Sequence, residues 1–62
     1  MTEDHMIEIA RGNIERNFAP EAEDDLYEEA YTLAFDALHD AGVDNATAGR
    51  IAAGLAQQMT GA

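Results

Sequence analysis

Apolar residues recur at steps of three and four along three separate stretches of this chain, and no stretch alternates as a half-buried strand would. The first stretch places Ile7, Ala10 and Ile14 at helical spacing, with Phe18 trailing them. It predicts a helix over about residues 3–17. Because all three stretches share this spacing, the chain is predicted to be all-α.

The second stretch predicts the longest helix, over about residues 20–41. Pro20 suits the first turn of a helix, and Gly42 follows the last periodic residue, where a C-cap is expected. The apolar side chains of this helix cover an arc of roughly 200°, which is wider than a contact between two helices requires. Either the first and third helices both pack on this arc, or a second copy of the chain covers the remainder, and we expect a homodimer.

The third stretch predicts a helix over about residues 45–60, with Asp44 or Asn45 as the N-cap and Gly61 as the terminator. Three helices with short connections in 62 residues predict one domain, residues 1–62, folded as a small three-helix bundle. The predicted core consists of the following residues: Ile7, Ile14, Leu26, Ala30, Leu33, Ala37, Leu38, Ile51, Leu55 and Met59.

The residue types that the chain lacks argue against catalysis. It has no Cys, Ser, Lys or Trp, so it lacks a thiolate zinc site, the lysine of a P-loop and the usual nucleophiles other than threonine, tyrosine and carboxylate side chains. The five glycines form no phosphate-binding fingerprint, and His5 and His39 have no recognised metal-ligand spacing. We therefore expect no enzymatic activity, no cofactor and no metal.

Acidic residues are concentrated in the second predicted helix. The net charge is −10, and residues 17–44 carry nine acidic residues and no basic one. On a helix, six of these acids fall within roughly 120° of one another, opposite the apolar arc. They form a stripe about 28 Å long with a carboxylate about every 6 Å. This spacing is comparable to the phosphate spacing along a nucleic-acid strand. The stripe is the candidate partner-binding surface, and its members are Glu21, Asp25, Glu28, Glu29, Asp36 and Asp40.

By its size, charge, helicity and missing catalytic residues, the chain resembles small acidic inhibitors encoded by phages and other mobile elements, of the DNA-mimic and anti-CRISPR type. This resemblance implies a non-catalytic inhibitor that occupies a basic nucleic-acid-binding surface of a host nuclease complex. The expected partner is a basic protein surface and not a nucleic acid, because a charge of −10 repels phosphates. Two other interpretations of the acidity stay open: a solvated helix face, and adaptation to concentrated salt.

The location expected from the sequence is cytoplasmic. No apolar run approaches the roughly 18–20 residues of a membrane span. The first residues, Met1 to His5, also lack the basic start and apolar centre of a signal peptide. We accordingly expect no membrane partner.

A second, local resemblance concerns the turn between the second and third helices. The segment Ala41-Gly42-Val43, followed by Thr47 and Arg50-Ile51, is similar to the helix-turn-helix of repressors of the lactose-repressor type. That resemblance implies a recognition helix whose groove-facing residues are Asn45, Thr47 and Arg50. A helix-turn-helix regulator, a structural or assembly module and an antitoxin-like partner are therefore the alternative functions.

Overall fold

The computed structural model describes residues 1–19, 21 and 25–61. Across these residues it contains three helices and no strand: α1 Glu3–Asn17, α2 Leu26–Asp40 and α3 Asn45–Thr60. The helices pack into a small bundle with a radius of gyration of 10.6 Å. The predicted all-α three-helix bundle is confirmed, and α1 and α3 have the predicted bounds.

The start of α2 differs from the prediction. The helix begins at Leu26, and Asp25 is its N-cap, with an extended backbone and a side-chain oxygen that accepts the Glu28 N–H at 3.0 Å. An aspartate at this position satisfies an amide that the first turn would otherwise leave without a partner. The predicted start at Pro20 lies outside the described residues, as do residues 22–24.

The ends of the helices follow ordinary capping chemistry. Thr2 accepts the His5 N–H at 3.2 Å at the start of α1, and Asp44 accepts the Thr47 N–H at 3.0 Å at the start of α3. These bonds satisfy backbone donors that have no partner within the helix. The helix starts are therefore specified by residues directly adjacent to them.

The turn between α2 and α3 is a Schellman motif. The Gly42 N–H donates to the His39 carbonyl and the Val43 N–H donates to the Leu38 carbonyl, each at 3.0 Å. Gly42 has a φ of 90°, a left-handed conformation that glycine adopts without the steric cost of a Cβ. Val43 and Leu38 are both buried in the core, so the turn is also held by apolar packing.

The core is built largely from small side chains. Six of its eleven buried residues are alanines. Ala30 and Ala34 of α2 are one turn apart, and Ala48, Ala52 and Ala56 of α3 repeat the same spacing. The contact between α2 and α3 is the most extensive, and α2 also packs against α1. Both of the other helices thus pack on the wide apolar arc of α2.

Two predicted core residues are exposed. Leu26 is 37% exposed and Met59 is 45% exposed, whereas Ile14 and Leu38 are fully buried. Leu26 is the first residue of α2 and Met59 is the second-last residue of α3, and a helix end has fewer neighbours than its middle. The prediction was wrong for these two because periodicity identifies the face of a residue but not its distance from the end of the bundle.

Candidate protein-interaction surface

The outer side of α2 carries three exposed carboxylates, which we call the α2 acidic face: Glu28, Asp36 and Asp40. At 100° per residue these positions span roughly 120° and lie opposite the buried residues Ala30 and Ala34. The rise of a helix places Asp40 about 18 Å from Glu28 along the axis. The exposed carboxylates therefore occupy a shorter stretch than the predicted stripe of about 28 Å.

Two members of the predicted stripe do not lie on the helix itself. Glu21 is exposed but precedes α2, and Asp25 is the N-cap. One carboxylate oxygen of Asp25 is already occupied by the Glu28 amide. Asp25 is exposed and adds negative charge near the start of the acidic face. Glu21 is not part of α2, so helical geometry does not place it on this face.

Glu29 has a structural contact that the sequence prediction missed. Its Oε1 accepts the Ala19 N–H at 2.9 Å, and the side chain is half-buried. Its Oε2 is buried and has no hydrogen-bond partner among the described residues. Ala19 lies just beyond α1, so the carboxylate of Glu29 ties the connection between the helices to the first turns of α2. Glu29 therefore does not belong to the exposed acidic face.

The carboxylates of the α2 acidic face have no basic partner among the described residues. In that part of the chain the one ion pair joins Arg50 of α3 to Glu3 of α1, with Nη2 and Oε1 2.6 Å apart, and both side chains are largely exposed. Of the three arginines, Arg11 and Arg16 are in α1 and Arg50 is in α3. The negative potential of α2 is consequently not neutralised by a base on the same helix.

A row of stacked rings runs along one edge of the acidic face. Tyr27, Tyr31, Phe35 and His39 follow one another at four-residue spacing, with ring centroids 6.3, 6.0 and 6.4 Å apart and interplanar angles of 21°, 16° and 14°. The first three are half-buried against the core, and His39 is exposed. The four-residue spacing of these rings is the sequence signal from which this row could have been found.

The outer surface of α1 differs from that of α2 because it carries both signs of charge. An open depression there is lined by two arginines, three acids and a glycine: Asp4, Glu8, Arg11, Gly12, Glu15 and Arg16. All of these side chains come from one helix. Its carboxylates share this surface with Arg11 and Arg16, although none of these acids forms an ion pair among the described residues.

The residues implied by the helix-turn-helix resemblance are placed around the start of α3. Asn45 is exposed, Thr47 is half-buried, and Arg50 is exposed but engaged with Glu3. Asp44 caps the helix beside them, and the hydrogen bonds it accepts from the backbone and side chain of Thr47 hold its pKa below the ordinary value of 3.8. The one base of this region is thus already paired, and the ionised Asp44 adds negative charge.

Within residues 1–19, 21 and 25–61, no three His, Asp or Glu side chains come together in a way that could hold a metal ion. None of the helices in the described ranges is long and apolar enough to cross a membrane. Models of protein families, curated proteins and solved structures were all compared with this chain, and none of them matches it.

Proposed function

We propose that this chain is a non-catalytic binding protein whose α2 acidic face occupies a basic surface of a nucleic-acid-binding protein, in place of the nucleic acid. The inhibitory target we infer is the basic channel of a host nuclease complex. The observation that carries the proposal is the set of exposed carboxylates on α2, none of which has a basic partner among the described residues.

The placement of these carboxylates supports a role beyond solubility. Asp36 and Asp40 lie in the last two turns of α2, where the negative end of the helix dipole disfavours acids. They are also four residues apart, a spacing at which like charges destabilise a helix by a few tenths of a kcal/mol. Lysine and arginine side chains of a partner would relieve both effects. Removing this repulsion on binding would then add to the binding free energy.

The shape of the face limits what it can imitate. It carries charge near each end of a stretch of about 18 Å, and Thr32 occupies the exposed position between Glu28 and Asp36. A surface of this length fits a short basic channel or cleft of a partner protein better than it fits a long groove that binds a nucleic-acid duplex. The row of rings beside it offers partly exposed aromatic surface, on which arginine stacks readily.

The proposal requires one copy of the chain. The apolar arc that motivated the expected homodimer is covered by α1 and α3, and the acidic faces of two copies would repel each other. A partner of opposite charge therefore suits this surface better than a second copy does.

The test is an affinity capture from a bacterial lysate in low and high salt, using the parent and two matched variants. The first variant, Glu28→Gln/Asp36→Asn/Asp40→Asn, removes three charges from the acidic face. The second, Asp4→Asn/Glu8→Gln/Glu15→Gln, removes the same charge from exposed positions of α1. We expect the parent and the α1 variant to capture the same nucleic-acid-binding proteins, and the α2 variant to lose them.

Captured proteins should be released by high salt and by added duplex DNA, because screening and competition act on the same contacts. Equal loss of binding by both variants would mean that total charge is responsible, and the mimicry proposal would fail. Retention of binding by both would place the partner elsewhere, which favours an assembly module or the helix-turn-helix alternative.

A further inference from the structure

We propose that ionic strength controls the folding of this domain, and that the α2 acidic face is the part of the molecule on which salt acts. The fold would be weakened at low salt and restored by screening cations. This property concerns the free protein and does not depend on the proposed partner.

The negative charge around α2 is not balanced by positive charge on the same helix. Its acidic face has three exposed carboxylates, and Asp25 and Asp44 flank the helix just before its start and just after its end. Neither an arginine nor a lysine belongs to this helix. Folding brings these charges within a Debye length of one another at low salt, so their repulsion is larger in the folded chain than in the expanded one.

The core is rich in alanine and so contributes little apolar stabilisation against this repulsion. Six of the eleven buried residues in the described part of the chain are alanines, and the larger buried side chains are Ile14, Leu38, Val43, Ile51 and Leu55. Burial of an alanine removes far less apolar area from water than burial of a leucine does, so each core position contributes less. Domains of about this size have only a few kcal/mol of stability to begin with.

Helix α2 is the central helix of the bundle. It packs against both other helices, whereas the contact between α1 and α3 is small. Weakening α2 therefore removes most of the tertiary contacts at once. We expect salt to act on the cooperative unfolding of the whole domain, not on a single frayed end.

The experiment is thermal unfolding followed by circular dichroism at 222 nm, in about 20 mM and about 500 mM NaCl, which span screening lengths from above 20 Å to below 5 Å. For the parent we expect the melting temperature to rise by about 5–15 °C between the two salts. The variant Glu28→Gln/Asp36→Asn/Asp40→Asn should melt higher than the parent at low salt, and its response to salt should be less than half as large.

The matched control is Asp4→Asn/Glu8→Gln/Glu15→Gln, whose carboxylates lie near Arg11 and Arg16. It should keep the salt response of the parent. The inference is overturned if the parent melts at the same temperature in both salts, or if the α2 variant keeps the full response. An equal reduction in both variants would overturn the assignment to α2. The melts need no partner, and the melt in low salt also shows whether the parent is folded under the low-salt conditions of the capture experiment.

Discussion

A Cβ atom added to Gly49 would lie 3.1 Å from the hydroxyl oxygen of Tyr31, so this glycine makes room for a side chain of the neighbouring helix. Gly54, in the same helix, has nothing within 4 Å of the equivalent position. The absence of a Cβ is therefore used at Gly49, by a side chain of α2, and not at Gly54.

This difference leads to the first prediction. Gly54→Ala should raise the free energy of unfolding by about 0.5–1 kcal/mol, because alanine is the better helix former and meets no obstacle. Gly49→Ala should raise the free energy of unfolding by less, since the Tyr31 ring must shift within its stack. Urea unfolding of both variants checks the order, and an equal or larger gain at Gly49 would contradict it.

The second prediction compares leucines at different depths in the bundle. Leu38→Ala should lower the free energy of unfolding by about 2–5 kcal/mol, because Leu38 is fully buried. A loss of that size is enough to unfold so small a domain. Leu26→Ala should cost less than about 1 kcal/mol, since Leu26 is already 37% exposed. Circular dichroism melts distinguish the two variants, and similar losses would mean that the end of the bundle is better packed than described.

The third prediction concerns a polar contact between α1 and α2. The Asn13 Nδ2 donates to the Leu33 carbonyl at 2.8 Å in a partly buried position. Asn13→Ala should cost about 1 kcal/mol, the usual net value of such a bond. Asn17→Ala is the control, because the Asn17 Nδ2 donates to the Asn13 Oδ1 at 2.7 Å on the exposed side. Asn17→Ala should lower the free energy of unfolding by less than Asn13→Ala does. If chemical denaturation shows the larger loss for Asn17→Ala, the assigned role of Asn13 is refuted.

The fourth prediction is a pH dependence at the start of α3. The pKa of Asp44 is lower in the folded chain than its ordinary value of 3.8, because its ionised form accepts hydrogen bonds from Thr47. Its contribution to stability is therefore complete above pH 3.8 and is lost as the pH falls through the lower, folded pKa. Asp44→Ala should have a lower melting temperature than the parent at pH 7, and this difference in melting temperature should become smaller at acidic pH. A difference that is the same at pH 2 and pH 7 would contradict this linkage.

The fifth prediction is the oligomeric state. The surface area of 3900 Å² equals the value of about 3,900 Å² expected for a compact monomer of 6.7 kDa. With the apolar arc of α2 covered within one chain, we expect a monomer at low micromolar concentration. Sedimentation velocity measures this directly, and a dimer at that concentration would revive the alternative in which a second copy packs on the chain.

Sequence alone was sufficient wherever a structural feature depends on neighbouring residues. The bounds of α1 and α3 follow from helical spacing together with local stop and start signals, such as Asp44 before α3 and Gly61 after it, which has a φ of 71°. Gly42 likewise allowed the end of α2 to be placed within a residue or two. The acidity of α2 and its opposition to the apolar side are properties of one helix and could also be predicted.

Tertiary structure decided the features that involve residues distant in sequence. Helical projection places Glu29 among the exposed acids, but the connection after α1 brings the Ala19 amide against its carboxylate and takes it out of the acidic face. Periodicity reports which way a side chain points, whereas burial depends on what another part of the chain places in front of it.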